Sequence, residues 1–240
     1  MAVILSQRPS RVSGRLPAML TIAELFDLAA IPEAWRVLFD VEAPWDFLAR
    51  LDAFAATISD DRRGEIHPTA VLEGDVVVEP GAVIGPHAYV MGPSWLMAGS
   101  QVGHAAYVRG SVLLGPGAVV GHASEVKRAI LLGGARVPHF NYVGDSVVGH
   151  RVNLGAGVKI ANFKAFGDSI RVDGRETNLR KLGALVGDDV SIGCNAVLSP
   201  GTVVGPRSVI YHGAMVRGFV PAGSVVKYKP ELLIAPRRDS

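Results

Sequence analysis

A repeat of six residues constrains this chain more than any other feature. Aliphatic residues stand at every sixth position without exception from Ile66 to Leu132. Four residues after each aliphatic position there is mostly a small residue, such as Ala82, Ser94 or Ala118, and glycine often follows the aliphatic residue directly. Six residues suffice for one short strand and one corner, and three such units close a triangular coil. The pattern therefore predicts a mainly β protein, a parallel β-helix with aliphatic side chains inside and glycines of positive φ at the corners.

The composition excludes several classes of protein. The net charge of +2 gives no indication of a nucleic-acid partner. The single cysteine, Cys194, rules out a disulfide framework and fits a reducing compartment. No apolar run approaches the ~20 residues that a membrane span requires. We therefore expect a cytoplasmic protein that binds neither nucleic acid nor membrane.

Changes in pattern divide the chain into four segments. We expect a disordered tail over 1–19 and a helical segment over 20–60, which begins at the capping box Thr21-Ile22-Ala23-Glu24. This segment is expected to pack on the end of the coil or on a neighbouring subunit. The coil is predicted over 65–228, with a loop insertion at 163–184, followed by a C-terminal tail over 229–240. About 23 hexads predict between about seven and eight coils.

The repeat shortens twice between Leu132 and Ile160. Five-residue steps are predicted from Leu132 to Val137 and from Val143 to Val148. A shorter step tightens a corner and re-aims the side chains beside it. Irregularities in a strict repeat are where function is expected.

Two cations fall one coil apart in this register. Arg109 and Lys127 each follow an aliphatic position, and eighteen residues of sequence separate them. Cations ~5 Å apart repel each other unless an anion or a carboxylate compensates. Glu125 lies at the same corner, with Tyr142 one coil further on. The spacing leaves two interpretations open: a solvated surface ladder with Glu125 as counter-ion, or a pocket for a phosphate.

Three histidines form a second column in the predicted register. His104, His122 and His139 occupy the same position in consecutive coils. They could be a solvent-facing ladder, a metal site, or a base with two bystanders. No His-x4-His pair of the kind that holds zinc in γ-class carbonic anhydrases occurs, which disfavours a metal. His139 lies in the irregular stretch near the cations, and the pKa of histidine suits a general base at neutral pH.

Three motifs carry a resemblance to a known family. They are Gly121-His122-Ala123-Ser124-Glu125-Val126-Lys127, His139-Phe140-Asn141-Tyr142-Val143-Gly144-Asp145 and Asn153-Leu154-Gly155-Ala156-Gly157. From Arg109 to about Val220 the chain resembles the acetyltransferase domain of bifunctional N-acetylglucosamine-1-phosphate uridyltransferase/glucosamine-1-phosphate acetyltransferases. The resemblance covers nearly half of the chain closely. It implies a left-handed coil and an N-acetyltransferase that acts on an amino-sugar 1-phosphate.

The resemblance also implies roles for individual residues. His139 would remove a proton from the sugar amine, and Glu125 would orient the base or the amine. The sugar phosphate would be held by Arg109, Lys127 and Tyr142. The residues expected at the sugar or the acetyl group are Asn153 and Asn162.

Acetyl-CoA is the implied co-substrate, and no metal is expected to be required for acetyl transfer. The backbone at Ala156 would bind the thioester, and Cys194 would lie beside the pantetheine arm as a small buried thiol rather than a nucleophile. Phe163 stands where the family usually has a cofactor-contacting tyrosine. Lys181 aligns with the family's substrate-binding lysine, with Lys164 as the alternative.

The resemblance further implies a homotrimer with sites between neighbouring subunits. Asn153 falls at a different corner from Glu125 and Tyr142, which agrees with such an arrangement. The uridyltransferase half is not expected within residues 1–60, so a separate nucleotidyltransferase is a possible partner. Two other functions stay open: an acyltransferase that acts on a nucleotide sugar or another acceptor, and a non-catalytic β-helix scaffold.

Overall fold

The computed structural model describes residues 20–229. The helical segment contains α1 (Ile22–Leu25) and α2 (Phe47–Ala55), with 3₁₀ turns at Leu28–Ala30, Glu33–Leu38 and Pro44–Asp46. Thr21 caps α1, and its side chain and that of Glu24 bond reciprocally to the backbone, as the capping box predicts. No helix within residues 20–229 is both long and apolar enough to cross a membrane.

Short strands make up the rest of the described chain. In chain order they are β1 (Asp61–Arg62), β2 (Glu65–Ile66), β3 (Val71–Glu73), β4 (Val76–Val78), β5 (Val83–Ile84), β6 (Tyr89–Met91), β7 (Ser94–Leu96), β8 (Gln101–Val102), β9 (Tyr107–Arg109), β10 (Val112–Leu114), β11 (Val119–His122), β12 (Glu125–Leu131), β13 (Arg136–His139), β14 (Tyr142–Val148), β15 (Asn153–Leu154), β16 (Lys159–Ile160), β17 (Arg171–Val172), β18 (Arg175–Glu176), β19 (Ala184–Val186), β20 (Ser191–Ile192), β21 (Val197–Leu198), β22 (Thr202–Val204), β23 (Val209–Ile210), β24 (Met215–Val216), β25 (Phe219–Val220) and β26 (Val225–Val226).

The strands form the three faces of a left-handed parallel β-helix. The first face is β2-β5-β8-β11-β13-β15-β20-β23-β26. The second face contains β3, β6, β9, β16, β21 and β24, and the third face contains β1, β4, β7, β10, β19, β22 and β25. The long strands β12 and β14 run through both, bending at the corner between them. The first face has nine strands, so the estimate of seven to eight coils was too low, because β1 lies before the first predicted hexad and β25 and β26 lie after the last one.

The six-residue pattern fills the interior as predicted. Val90, Val108, Val126 and Val143 are fully buried on the second face, and their counterparts on the other two faces are equally enclosed. The first short step was predicted in the wrong place. Leu131, not Leu132, pairs with Leu114 and points into the coil, so the five-residue step runs from Val126 to Leu131.

The glycines that follow aliphatic positions do not supply the corner dihedrals, contrary to the prediction. Positive φ occurs two residues later, at His87, Ala105 and Ala123. These glycines instead allow successive coils to approach closely. A Cβ on Gly121 would lie 2.0 Å from the carbonyl oxygen of Pro138 in the next coil. The absence of a side chain is therefore required for contact between coils rather than for φ.

The helical segment covers the side of the coil and not its end, which corrects the sequence-based expectation. The outward side chains of the third face are apolar, and Trp95 packs edge-on against Trp35 and stacks on Phe54. The loop insertion joins the same apolar cluster through Ile170 and Leu182, and it carries the antiparallel hairpin β17–β18. Burial of these apolar surfaces ties the helical segment, the insertion and the coil into one unit.

Candidate active site

Polar side chains replace apolar ones on the outside of the second face. Alternate residues of β9, β12 and β14 point inward, so that Arg109, Glu125, Lys127 and Tyr142 point outward. Glu125 is paired in register with Tyr107 on one side and with Tyr142 on the other. Four of the residues predicted to bind substrate or assist catalysis therefore lie on one face of one chain.

Glu125 neutralises one of the two cations. Its Oε1 accepts a hydrogen bond from Nη1 of Arg109 at 2.6 Å, and this bond raises the pKa of the arginine. The guanidinium also lies 5.6 Å from the ring centre of Tyr107. Within residues 20–229 no carboxylate lies within salt-bridge distance of Lys127. The sequence left open a surface ladder with Glu125 as counter-ion or a pocket for a phosphate, and in the structure Glu125 contacts Arg109 directly.

Tyr142 and Asn162 meet over a glycine. A Cβ on Gly144 would lie 2.6 Å from Nδ2 of Asn162 and 2.8 Å from the hydroxyl of Tyr142. Burial raises the pKa of Tyr142, as do the nearby charges of Glu125 and Asp145. Its hydroxyl therefore keeps its proton at neutral pH and remains a hydrogen-bond donor.

The short steps create a ladder at the corner between the second and third faces. Arg128 and Asp145, in the middle of β12 and β14, both adopt positive φ there. Nη1 of Arg128 lies 3.0 Å from Oδ1 of Asp145, and Asp52 of α2 binds the same guanidinium. Nδ2 of Asn162 donates to Oδ2 of Asp145. The resemblance pointed to Asn162 but not to these charged partners.

The histidine column differs from the prediction. The rings of His104 and His122 stack at 5.0 Å, with 2.9 Å between their Nδ1 atoms. His139 is paired with His122 in the backbone register, but the ring that contacts His122 is that of Phe140. His139 is exposed, and its amide donates to the side chain of Asn141. Its ring is therefore separate from the stack. Within residues 20–229 no three His, Cys, Asp or Glu side chains cluster as a metal site would require.

His139 shares one corner of the coil with two of the three residues expected at the co-substrate. The amide of Gly157 donates to the carbonyl of His139, and that of Asn195 donates to the carbonyl of Ala156. Ala156 and Cys194 thus lie on the coils that follow His139, at the corner between the first and second faces. Cys194 is exposed, so the expectation of a buried thiol was wrong.

Asn153 lies apart from the other predicted site residues. It is paired with Arg136 and Ser191 on the first face, whereas Glu125 and Tyr142 are on the second. Alternation along β15 turns Leu154 inward and Asn153 outward. A single chain therefore presents Asn153 on a different face from the cations.

Two family models match parts of the chain. Residues 98–182 match the family described as GMPPB C-terminal domain, and residues 183–218 match bacterial transferase hexapeptide (six repeats). Among solved structures, UDP-N-acetylglucosamine acyltransferase from Campylobacter jejuni is 16% identical, with a TM-score of 0.36 over 65% of this chain and 69% of that one.

Curated relatives match more of the chain. Bifunctional protein GlmU of Methanococcus maripaludis is 35% identical over 204 residues, covering 83% of this chain and 49% of the relative. The bifunctional sugar-1-phosphate nucleotidylyltransferase/acetyltransferase of Sulfurisphaera tokodaii is 32% identical over 193 residues, covering 78% and 48%. The chain is thus similar to these bifunctional enzymes over most of its own length, and it carries the bacterial transferase hexapeptide repeat over residues 183–218. It spans about half the length of these curated relatives.

The insertion places its residues at one edge of the candidate site. Phe163 forms an isolated antiparallel bridge with Lys181. Nζ of Lys164 donates to the carbonyl of Ser169, whereas Lys181 is exposed. A cavity of about 420 Å³ opens beside them, lined by residues that include Phe163, Lys164 and Arg217. Of the two lysines considered from the sequence, Lys181 is the one whose ammonium has no hydrogen bond within residues 20–229.

Proposed function

We propose that this protein is an acetyl-CoA-dependent N-acetyltransferase that acts on an amino-sugar 1-phosphate. The observation that carries the proposal is the charge arrangement on the second face. Arg109 is balanced by Glu125, and Lys127 lies beside it with no carboxylate partner in the described chain. An anion bound here would compensate Lys127 and add a bidentate contact to Arg109. The printed names of the relatives, which act on sugar 1-phosphates or combine two activities, support the same substrate class.

The reaction needs no enzyme nucleophile. The amine nitrogen attacks the thioester carbonyl carbon, the carbon–sulfur bond breaks, and CoA leaves as the thiolate, which takes up a proton. In this proposal His139 removes the proton from the attacking amine, and Glu125 orients either group. The phosphate is held by Arg109, Lys127 and Tyr142, with Lys181 at the edge. Holding both substrates together supplies much of the rate enhancement.

The co-substrate is proposed to run along the corner between the first and second faces. Ala156 and Cys194 stack there on the two coils after His139, and within residues 20–229 the backbone amide of neither residue donates a hydrogen bond. Ala156 is half-buried and Cys194 is exposed. A backbone N–H group at Ala156 would stabilise the oxyanion that develops on the thioester. Phe163 and Asn162 would lie at the far side of the acetyl group. This arrangement brings the thioester next to the imidazole.

The proposed active form is a homotrimer. Asn153 projects from the first face, away from the cations on the second. In a cyclic trimer the first face of one subunit meets another face of its neighbour, so that Asn153 can complete a neighbouring site. A separate nucleotidyltransferase is the partner that would consume an N-acetylated sugar 1-phosphate.

An assay of free-thiol release from acetyl-CoA tests the proposal. The panel contains glucosamine 1-phosphate, galactosamine 1-phosphate, free glucosamine and an amino-sugar nucleotide. Turnover is expected with the 1-phosphates and not with the free sugar. His139→Ala should lower kcat on the order of 10²–10⁴-fold.

His122→Ala is the matched control, because His122 is the register partner of His139 and lies outside the proposed chemistry. It should leave kcat within about twofold of the wild type. An equal loss of kcat in both variants would show that His139 is not the general base. Turnover of the nucleotide sugar alone, or of longer acyl donors alone, would establish a different acyltransferase.

A further inference from the structure

Three polar residues stack on consecutive coils at the corner between the second and third faces. Lys127 pairs with Gly144 and Ala129 with Ser146, which sets Arg128 directly against Asp145. Val143 pairs with Ile160, so Asn162 follows Asp145 on the next coil at the same interval of 17 residues. The insertion begins directly after Asn162. We call Arg128, Asp145 and Asn162 the corner ladder.

Asp145, the middle residue of the corner ladder, determines the orientation of the Asn162 side-chain amide. The carboxyl group of Asp145 is fully buried, and an ionised carboxylate only accepts hydrogen bonds. The amide nitrogen of Asn162 must therefore face Asp145, and the bond between them has that orientation. Asn162 is half-buried, and its Oδ1 makes no hydrogen bond with residues 20–229. The amide group of Asn162 lies beside the hydroxyl of Tyr142, at the predicted substrate face, because a Cβ on Gly144 would contact both.

The other end of the corner ladder is anchored in the helical segment. Nε and Nη2 of Arg128 donate to the two carboxylate oxygens of Asp52, in α2. Nη1 remains for Asp145 at 3.0 Å. A bidentate pair holds the guanidinium plane in one orientation, so the third donor is aimed at Asp145. The apolar contacts of α2 with the third face hold Asp52 in turn.

We propose that Asp145 is a positioning residue of this acyltransferase, which holds the Asn162 amide so that Oδ1 accepts a hydrogen bond from an N–H group of a bound substrate. The amine of the acceptor and the amide nitrogens of the pantetheine arm share this donor chemistry. Asp52 and Arg128 extend the same function, because they hold Asp145. The helical segment thereby supports the site from the opposite side of the corner. This inference rests on the proposed function for the identity of the substrates, but not for the orientation of Asn162.

Two measurements on the full chain test the proposal. The first is the side-chain amide NMR signal of Asn162, assigned by its loss in Asn162→Asp. The second is the set of kcat and the two separate KM values, for acetyl-CoA and for the amino-sugar phosphate. The variants are Asp145→Asn and Asp52→Asn. Asp189→Asn is the matched control, because Asp189 forms an equally bidentate pair with Arg151 away from the site.

The corner ladder predicts a graded result. Asp145→Asn should shift the Asn162 signal and raise one KM by about 10-fold or more, because a misplaced polar contact weakens binding. Asp52→Asn should move the same signal and the same KM in the same direction by less. Asp189→Asn should change neither. A raised KM for the acceptor identifies its amine as the donor, and a raised KM for acetyl-CoA identifies the pantetheine arm.

Several results would overturn the proposal. An unchanged Asn162 signal in a folded Asp145→Asn variant would show that Asp145 does not orient the amide. A shifted signal with both KM values and kcat unchanged would show that the orientation serves only the fold. If Asp145→Asn does not fold, Asp52→Asn decides, since Asp52 is largely exposed. If the wild type acetylates no amine, the proposed function fails, and titration of acetyl-CoA into wild type and Asp145→Asn then decides whether the amide supports binding.

Discussion

Arg128 and Asp145 are 17 residues apart in the sequence and 3.0 Å apart in space, joined Nη1 to Oδ1 at one corner of the coil. Both lie at the turn of a five-residue step, and both adopt positive φ. Asp145 is fully enclosed, so its charge is compensated by Arg128 and Asn162 rather than by solvent. The irregular steps thus place an ion pair where the preceding regular coils have Gly92-Pro93 and Gly110-Ser111.

Removal of Arg128 alone should be costly for the fold. Arg128→Met leaves the carboxylate of Asp145 buried without a cation, and loss of one partner of a buried pair costs about 3–5 kcal/mol of the free energy of unfolding. The double variant Arg128→Met/Asp145→Asn removes both charges, and asparagine tolerates positive φ. We expect the double variant to recover part of the loss in denaturant unfolding. A double variant less stable than Arg128→Met would contradict a charge-based cost.

Gly144→Ala should affect activity far more than stability. The new Cβ would meet the ends of two side chains, Asn162 and Tyr142, which can move aside. Their displacement from the second face should lower kcat/KM on the order of 10–100-fold. Thermal unfolding should change less, because Arg128 still compensates the charge of Asp145 when Asn162 moves.

Alanine substitutions at two other glycines serve as comparisons for Gly144→Ala. Gly121→Ala meets the backbone of Pro138 at 2.0 Å and should unfold the coil locally. Gly133→Ala meets only the ring of His150, at 3.3 Å, and a carbonyl at 3.5 Å, far from the second face. It should retain activity. Equal activity in Gly144→Ala and Gly133→Ala would show that the space above Gly144 is not part of the site.

The surface pair of Arg151 and Asp189 predicts a pH dependence of stability. The hydrogen bond from Arg151 lowers the pKa of Asp189 in the folded protein. The stabilisation is therefore present above the ordinary pKa of aspartate, about 4, and is lost as the pH falls through the lower folded value. Both side chains are largely exposed, so at pH 7 we expect less than about 1 kcal/mol.

Unfolding of wild type and Asp189→Asn between about pH 7 and pH 2 measures this contribution. The two stability curves should differ at neutral pH and converge in acid. High salt should reduce the difference at neutral pH, since the charges are accessible to ions. A difference that grows as the pH falls would have the wrong sign.

The sequence predicts the interior of this fold well because a period of six has one geometric solution. The same pattern could not locate the first short step, since Leu131 and Leu132 are both aliphatic and both buried. One points into the coil and the other into the cluster with the helical segment. With the step misplaced, the sequence does not show that Arg128, like Asp145 17 residues later, lies at the turn of a shortened step.

The site was predictable where it follows the repeat and not where it depends on tertiary packing. Arg109, Glu125 and Tyr142 share a face because strands alternate. The pairing of Asp52 with Arg128 joins residues 76 positions apart and follows no repeat. The predicted column of three histidines was wrong for a similar reason. The sequence does not determine whether the ring of His139 or that of Phe140 packs against His122 at this corner. Here it is Phe140.

Mixed assemblies test the position of Asn153. If the site lies between subunits, with His139 from one chain and Asn153 from the next, each single variant is inactive in its own trimer. Random mixing of equal amounts of His139→Ala and Asn153→Ala chains would then pair a wild-type His139 with a wild-type Asn153 at about a quarter of the sites. We expect co-expressed, differently tagged chains to regain about that fraction of wild-type activity. If Asn153 served the site of its own chain, no mixture would contain an intact site, and activity would stay at the level of the single variants. The first-face location of Asn153 favours the shared arrangement, because the cations it would complement lie on the second face.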